Sequence, residues 1–229
     1  MFLGLDTGTK EKIARLSYNP MNKKIYRKRW IIAFLCALAS IFLAIFVFSE
    51  KDIRFDLYAY TTLVENMRGK GLTFFFQFIT HLAGVAFLVA AAIGCFIFIK
   101  NRTIAWLIPV NLILCAALNL ALKLLIQRPR PHGYMLVEET GFSFPSGHSM
   151  ASLAFYGFFI YLIHVKVKNR NIRWISTVLL VLLILLIGIS RVYLGVHYAS
   201  DVIAGFSIAL AYLIVFCTVI SGKVQNEIK

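Results

Sequence analysis

Six stretches of this chain run close to the length of a bilayer crossing without a formal charge, and they leave almost nothing from which a water-soluble domain could be built. They cover residues 31–49, 71–99, 103–122, 149–165, 174–190 and 202–222. A helical crossing needs about 20 predominantly apolar residues. In hydrocarbon each backbone N–H and C=O must be satisfied within the element, which restricts such segments to helices. The expected fold is therefore all-α: an integral-membrane bundle of six transmembrane helices over residues 31–222, with a basic lead at 1–30 and a short tail at 223–229. The composition agrees, with 60% hydrophobic and only 15% charged residues in 229.

The net charge of +14 would suit a nucleic-acid binder, but the charges sit between the spans and do not form one basic face. Sixteen of the 24 Lys and Arg residues fall on one side: before the first span, in the second and fourth connections, and after the last span. The excess of basic residues in cytoplasmic loops places that side, and with it both termini, in the cytoplasm. No nucleic-acid partner is expected; the partner is the phospholipid bilayer. Cys36, Cys95, Cys115 and Cys217 all lie within spans and read as packing residues, not as a disulfide framework or metal site. The string GLDTGTK at 4–10 resembles a phosphate-binding turn of actin-like kinases, which needs a sheet and a second domain absent here. Met21, ahead of a basic cluster, is an alternative start, with the first twenty residues an extension.

Other local features are less specific. Apolar residues at Phe55, Tyr58, Leu63 and Met67 have a loose helical spacing that predicts a short interfacial helix, either a surface spacer or an aid to substrate entry. Residues 71–99 read as one continuous span. Pro109 predicts a kink in the third.

Three polar clusters interrupt this pattern. In KLLIQRPRP, Lys123 lies near the end of the third span and Arg130 follows beyond it, while Pro129 and Pro131 end the helix. Alone, such a pair also fits ordinary snorkelling at a span end. In GFSFPSGHSM, Ser146, Gly147 and His148 fall at the first turn of the fourth span. A helix N-terminus carries unpaired N–H groups and roughly half a positive charge, which suits a phosphate. Gly147 permits close backbone approach, Ser146 adds a hydroxyl and His148 can move a proton. The plainer reading is a capping serine beside an interfacial histidine. In SRVYLGVHYASD, Arg191 supplies a planar fork of donors, and His197 and Asp201 are four residues apart, on one face if helical. A carboxylate accepting the N–H of one imidazole nitrogen leaves the other as the nucleophile.

Counting spans from a cytoplasmic N-terminus puts the second and third clusters, and the arginine of the first, on the outer side. Ionisable groups gathered near membrane depth are functional candidates. K-x6-RP, PSGH and SR-x5-H-x3-D, in this order, resemble the three signature motifs of the type 2 phosphatidic acid phosphatase (PAP2) superfamily, membrane branch. The resemblance implies a metal-independent lipid phosphatase with no cofactor. His197 would attack phosphorus and form a phosphohistidine, with Asp201 orienting it. His148 would protonate the departing oxygen and then activate water. Lys123, Arg130, Ser146, Gly147 and Arg191 would hold the phosphoryl oxygens. The implied substrates are undecaprenyl pyrophosphate, phosphatidylglycerophosphate or phosphatidic acid, at the outer face of a bacterial cell membrane. A phosphotransferase using the same phosphohistidine and a non-catalytic headgroup binder or transporter are the alternatives. Glu138 and Glu139 read as a solvated pair, His81 as a hydrogen-bonded packing residue, His132 as an exposed loop residue and His164 as interfacial.

Overall fold

The structure is a computed structural model that describes residues 20–49, 54–131 and 135–226. The string at 4–10 and His132 lie outside the described residues. Every regular element among the described residues is helical. They run α1 (Pro20–Ser49), α2 (Arg54–Tyr60), a π-helical turn (Thr61–Glu65), α3 (Lys70–His81), α4 (Val85–Phe98), α5 (Arg102–Ile126), α6 (Gly147–Lys166), α7 (Arg170–Tyr193) and α8 (Ala199–Asn226). Five of them, α1, α5, α6, α7 and α8, are long and apolar enough to cross a bilayer. Large apolar residues such as Leu120, Leu125, Ile175 and Leu179 are exposed on their outer faces. That is the arrangement lipid tails require, since the backbone polar groups in the body of each crossing are bonded along its own helix.

The second crossing is not the continuous span its apolar run predicts. It is two helices, α3 and α4, bent by 46° at a short break. Gly84 precedes α4 in extended conformation, and the carbonyl of Leu82, released by the break, accepts the hydroxyl of Tyr156 from α6 at 2.7 Å. A break at membrane depth is tolerated when a neighbouring helix satisfies the freed backbone in this way. Helix α1 also begins earlier than its apolar stretch, with the basic residues 20–30 continuing it as helix. The predicted interfacial helix is present as α2 and the π-turn. Helix α5 continues through Pro109 as one element and ends at Gln127, which adopts a left-handed conformation two residues before Pro129.

The core lies where α6 packs between α5, α7 and α8. Small residues allow close approach: a Cβ on Gly188 would meet the Phe206 ring at 2.5 Å, and one on Gly205 would meet the Ser146 carbonyl at 3.0 Å. Without a hydrophobic force between helices in lipid, such contacts and interhelical hydrogen bonds supply the packing energy. Asn111 donates to the carbonyl of Ala154 at 2.7 Å, and Asn119 to that of Pro145 at 3.1 Å. These bonds tie α5 to α6 along the depth of the bundle. The Gly205 contact sets the start of α6 directly against α8.

Candidate active site

The C-terminal ends of α5 and α7 and the N-terminal ends of α6 and α8 meet at one end of the bundle, and the three polar clusters meet with them. His197 lies in the turn between α7 and α8. Its main-chain N–H and that of Val196 donate to the carbonyl of Arg191, at 3.3 and 3.2 Å, which folds the turn back on the end of α7. Asp201 falls in the first turn of α8. Its Oδ2 accepts the main-chain N–H of Tyr198 at 2.9 Å, a reciprocal cap that locks the carboxylate beside His197.

Asp201 Oδ2 is 3.6 Å from His197 Nδ1, longer than a hydrogen bond. The Ser143 hydroxyl bridges the two, 3.3 Å from His197 Nδ1 and 2.5 Å from Asp201 Oδ2. The carboxylate can only accept, so Ser143 donates to Asp201 and accepts the Nδ1 proton of His197. That network puts the imidazole lone pair on Nε2, which faces Arg130 NH1 at 3.4 Å. His197 is 3% exposed. Burial drives its pKa down to about 4, against the opposing pull of Asp201 and with further push from Arg191 and Arg130. The imidazole is neutral at physiological pH, as a nucleophile must be.

The cationic residues are held with equal care. Arg130 spends Nε on the carbonyl of Gly141, NH2 on that of Thr140 and NH1 on that of Val196, at 2.9 to 3.1 Å. Burial lowers its pKa, with Glu139 and Asp201 opposing. Arg191 is 1% exposed, donates NH1 to Thr80 Oγ1 at 2.7 Å, and pairs through NH2 with Glu139. Lys123 Nζ donates to the carbonyl of Phe142. Ser146 caps α6: its hydroxyl oxygen accepts Ser149 N at 3.4 Å and Ser149 Oγ at 3.0 Å. Gly147 stands against Asn119, whose Oδ1 would be 3.2 Å from an added Cβ. The His148 imidazole makes no hydrogen bond among the described residues, while Arg191, His197, Arg130 and His81 all act on it electrostatically. Its imidazole is thus unengaged beside the cations.

Sequence reasoning missed a second layer. Arg128 donates NH1 to Asp201 Oδ1 at 2.6 Å and NH2 to Asp56 Oδ2 at 2.9 Å, with its guanidinium carbon 3.9 Å from the centre of the Tyr198 ring. Burial would lower the pKa of Arg128, but Asp201 and Asp56 outweigh it and hold it above the ordinary value. Asp56, on α2, also accepts Ser200 N at 2.8 Å and Ser200 Oγ at 2.6 Å. The interfacial helix is therefore tied to the site and is not a bare spacer. Two single-residue expectations also change. Glu139 is not a free surface carboxylate but half-buried and ion-paired, because the buried guanidinium of Arg191 draws it in. His81 is exposed and its imidazole makes no hydrogen bond among the described residues, because the break in the second crossing ends α3 at that residue. His164 does lie at the far end of α6, 2.9 Å from Thr177 Oγ1. Among the described residues no group of three His, Cys, Asp or Glu side chains is arranged to hold a metal ion.

A family model for the PAP2 superfamily matches residues 85–225, more than half of the chain and all eight residues the motifs single out. The chain belongs to the PAP2 superfamily. It is similar to phosphatidylglycerophosphatase B of Bacillus subtilis (strain 168), 38% identical over 139 residues that make up 58% of this chain and 67% of that one. The crystal structure of a transmembrane PAP2-type phosphatidylglycerolphosphate phosphatase from Bacillus subtilis superposes with a TM-score of 0.74 at 29% identity, covering 83% of this chain and 96% of that chain. Aquifex aeolicus LpxE superposes with a TM-score of 0.58 at 26% identity, covering 71% and 94%. The protein is thus a multi-span membrane phosphatase of the PAP2 type. Asp56 and Thr80 lie ahead of the matched family region, which is why the motifs do not point to them.

Proposed function

We propose that this PAP2 phosphatase removes the terminal phosphate of a membrane lipid through a phosphohistidine on His197, without a metal ion, at the extracytoplasmic face of the membrane. Phosphatidylglycerophosphate is the leading substrate, because both Bacillus subtilis matches, the curated relative and the crystal structure, are named for it. Undecaprenyl pyrophosphate and phosphatidic acid present the same terminal group. The observation that carries the reading is the His197 ring, with Nδ1 turned to Ser143 and Asp201 and Nε2 turned to Arg130.

In the first step Nε2 forms a bond to phosphorus as the bond from phosphorus to the lipid oxygen breaks, and His148 gives that oxygen its proton. In the second, His148 takes a proton from water, the hydroxyl oxygen bonds to phosphorus, and the N–P bond breaks to release inorganic phosphate and regenerate His197. Lys123, Arg130, Arg191 and the Gly147 amide stabilise the equatorial oxygens, which is where a loose phosphoryl transition state spreads its charge. Ser146 holds the helix terminus in register. The outer-face assignment rests on the charge pattern of the sequence: 16 of the 24 Lys and Arg residues fall in the tails and connections on the side of the termini, and the motifs fall in the connections on the other side.

The test is rapid quenching of purified protein with phosphate-labelled phosphatidylglycerophosphate in EDTA. An acid-labile, base-stable phosphoprotein is expected in the wild type and none in His197→Ala, with free phosphate as the end product. Phosphate release that needs a divalent cation, or that survives in His197→Ala, refutes the mechanism. Label appearing on an acceptor lipid in place of free phosphate would make the enzyme a phosphotransferase.

A further inference from the structure

The cradle of the site already holds an anion of the protein's own. One oxygen of the Glu139 carboxylate pairs with Arg191 NH2, and the other lies 3.6 Å from Arg130 NH2. Two oxygens on one centre, each turned to a different guanidinium, is also the placement that a pair of phosphoryl oxygens would take. The contact is built into the loop. On one side of Glu139, Leu136 donates its main-chain N–H to the carbonyl of Leu194 at 3.0 Å, and Leu136 and Val137 pack on Phe76, Tyr193 and Val196. On the other side the carbonyls of Thr140 and Gly141 accept from Arg130, and Gly141 turns the chain with a φ of 75°. Glu139 itself is partly open, its side chain 28% exposed, so it has somewhere to go.

Physical necessity explains part of this. Arg191 is almost wholly buried, and a buried cation without a counterion is strongly unfavourable. The consequence for binding is less obvious. Any anion entering the cradle exchanges with Glu139 and does not fill a bare positive site. A phosphodiester headgroup carries one negative charge, as Glu139 does, so the exchange gains no net Coulomb energy. A phosphate monoester carries close to two charges at neutral pH, so its exchange does gain. Bulk phospholipids are diesters, and they surround the site in excess over any monoester lipid.

We propose that Glu139 is a specificity-determining residue: the resident carboxylate of the phosphate cradle, displaced by a dianionic phosphate monoester and retained against monoanionic phosphodiester headgroups. This is discrimination by raising the threshold for the wrong ligand, and it rests on the reading of the Arg130 and Arg191 pair as the phosphate cradle.

The experiment measures phosphate release from short-chain phosphatidic acid in non-ionic detergent while short-chain phosphatidylglycerol, a diester, is raised. The wild type, Glu139→Gln, Glu139→Asp and Glu138→Gln are compared. Glu139→Gln is expected to be inhibited by the diester at about tenfold lower mole fraction than the wild type, with no rise in KM for the monoester. Glu139→Asp, which keeps the charge, and Glu138→Gln, which changes an exposed neighbour, should track the wild type. Equal diester inhibition in wild type and Glu139→Gln overturns the proposal, and so does a Glu139→Asp that behaves like Glu139→Gln. Should Glu139→Gln not fold, the wild type alone decides: dimethyl phosphate inhibiting as well as methylphosphonate under alkaline conditions also overturns it. A wild type that releases no phosphate from any monoester lipid sinks the functional reading itself, whereas an active wild type with an unaltered Glu139→Gln sinks only this inference.

Discussion

Asp56→Asn is the substitution that best separates the support of the site from its chemistry. The carboxylate is 5% exposed and accepts three hydrogen bonds, from Ser200 N, Ser200 Oγ and Arg128 NH2, at 2.6 to 2.9 Å. Asparagine keeps the volume, but it removes the charge and turns an NH2 group towards donors. Breaking a buried ion pair costs about 3–5 kcal/mol. Arg128 keeps Asp201 as a second partner, so the lower end, about 3 kcal/mol, applies. In a chain of this size each kcal/mol is worth about 2–4 °C, so the midpoint of thermal unfolding should fall by about 6–12 °C. The catalytic effect arises at one remove. Arg128 bonds Asp201 Oδ1, Asp201 caps the turn bearing His197, and a small misplacement of such a turn costs roughly 10–100-fold in rate. Nothing that would touch the lipid phosphate changes, so the loss should fall on kcat with KM within about twofold. Steady-state phosphate release from phosphatidylglycerophosphate, together with a thermal melt, reads both. A variant with kcat within twofold of wild type and an unmoved midpoint would refute the positioning role of Asp56.

Two further outcomes follow from the geometry. Gly147→Ala sets a methyl 3.2 Å from Asn119 Oδ1, and Asn119 also holds the Pro145 carbonyl, so the cradle must shift by a few tenths of an ångström; kcat/KM should drop by about tenfold while thermal stability changes little. The pKa of His197 is depressed by burial, from the ordinary 6.5 to about 4. The unfolded chain then binds the extra proton first as pH falls, so the stability owed to this group is complete above pH 6.5 and is lost between there and about pH 4. Thermal midpoints of wild type should therefore decline across that window more steeply than those of His197→Gln; parallel curves would refute the assignment.

The crossings, the clustering of charge between them and the three polar motifs were legible along the chain because each is local. Apolar length decides what can enter a bilayer, and the motifs carry their residue types within a dozen positions. The break after His81 was not legible, since residues 71–99 carry no formal charge and the break is stabilised by a hydroxyl from Tyr156, on another helix. The roles of Ser143 and Arg128 were hidden although both stand inside or beside motifs: a serine and an arginine there look the same whether they meet solvent or Asp201. Asp56 had no local signal at all. The sequence by itself determined that this chain lives in a membrane as a helical bundle and which residue types it brings to phosphate chemistry. Only the tertiary structure decided which carboxylate serves which cation, with Asp56 and Asp201 sharing Arg128 and Glu139 bridging Arg130 and Arg191. Burial removes water as a partner, so each charge must be answered by whatever side chain the packing of distant helices brings within hydrogen-bond reach.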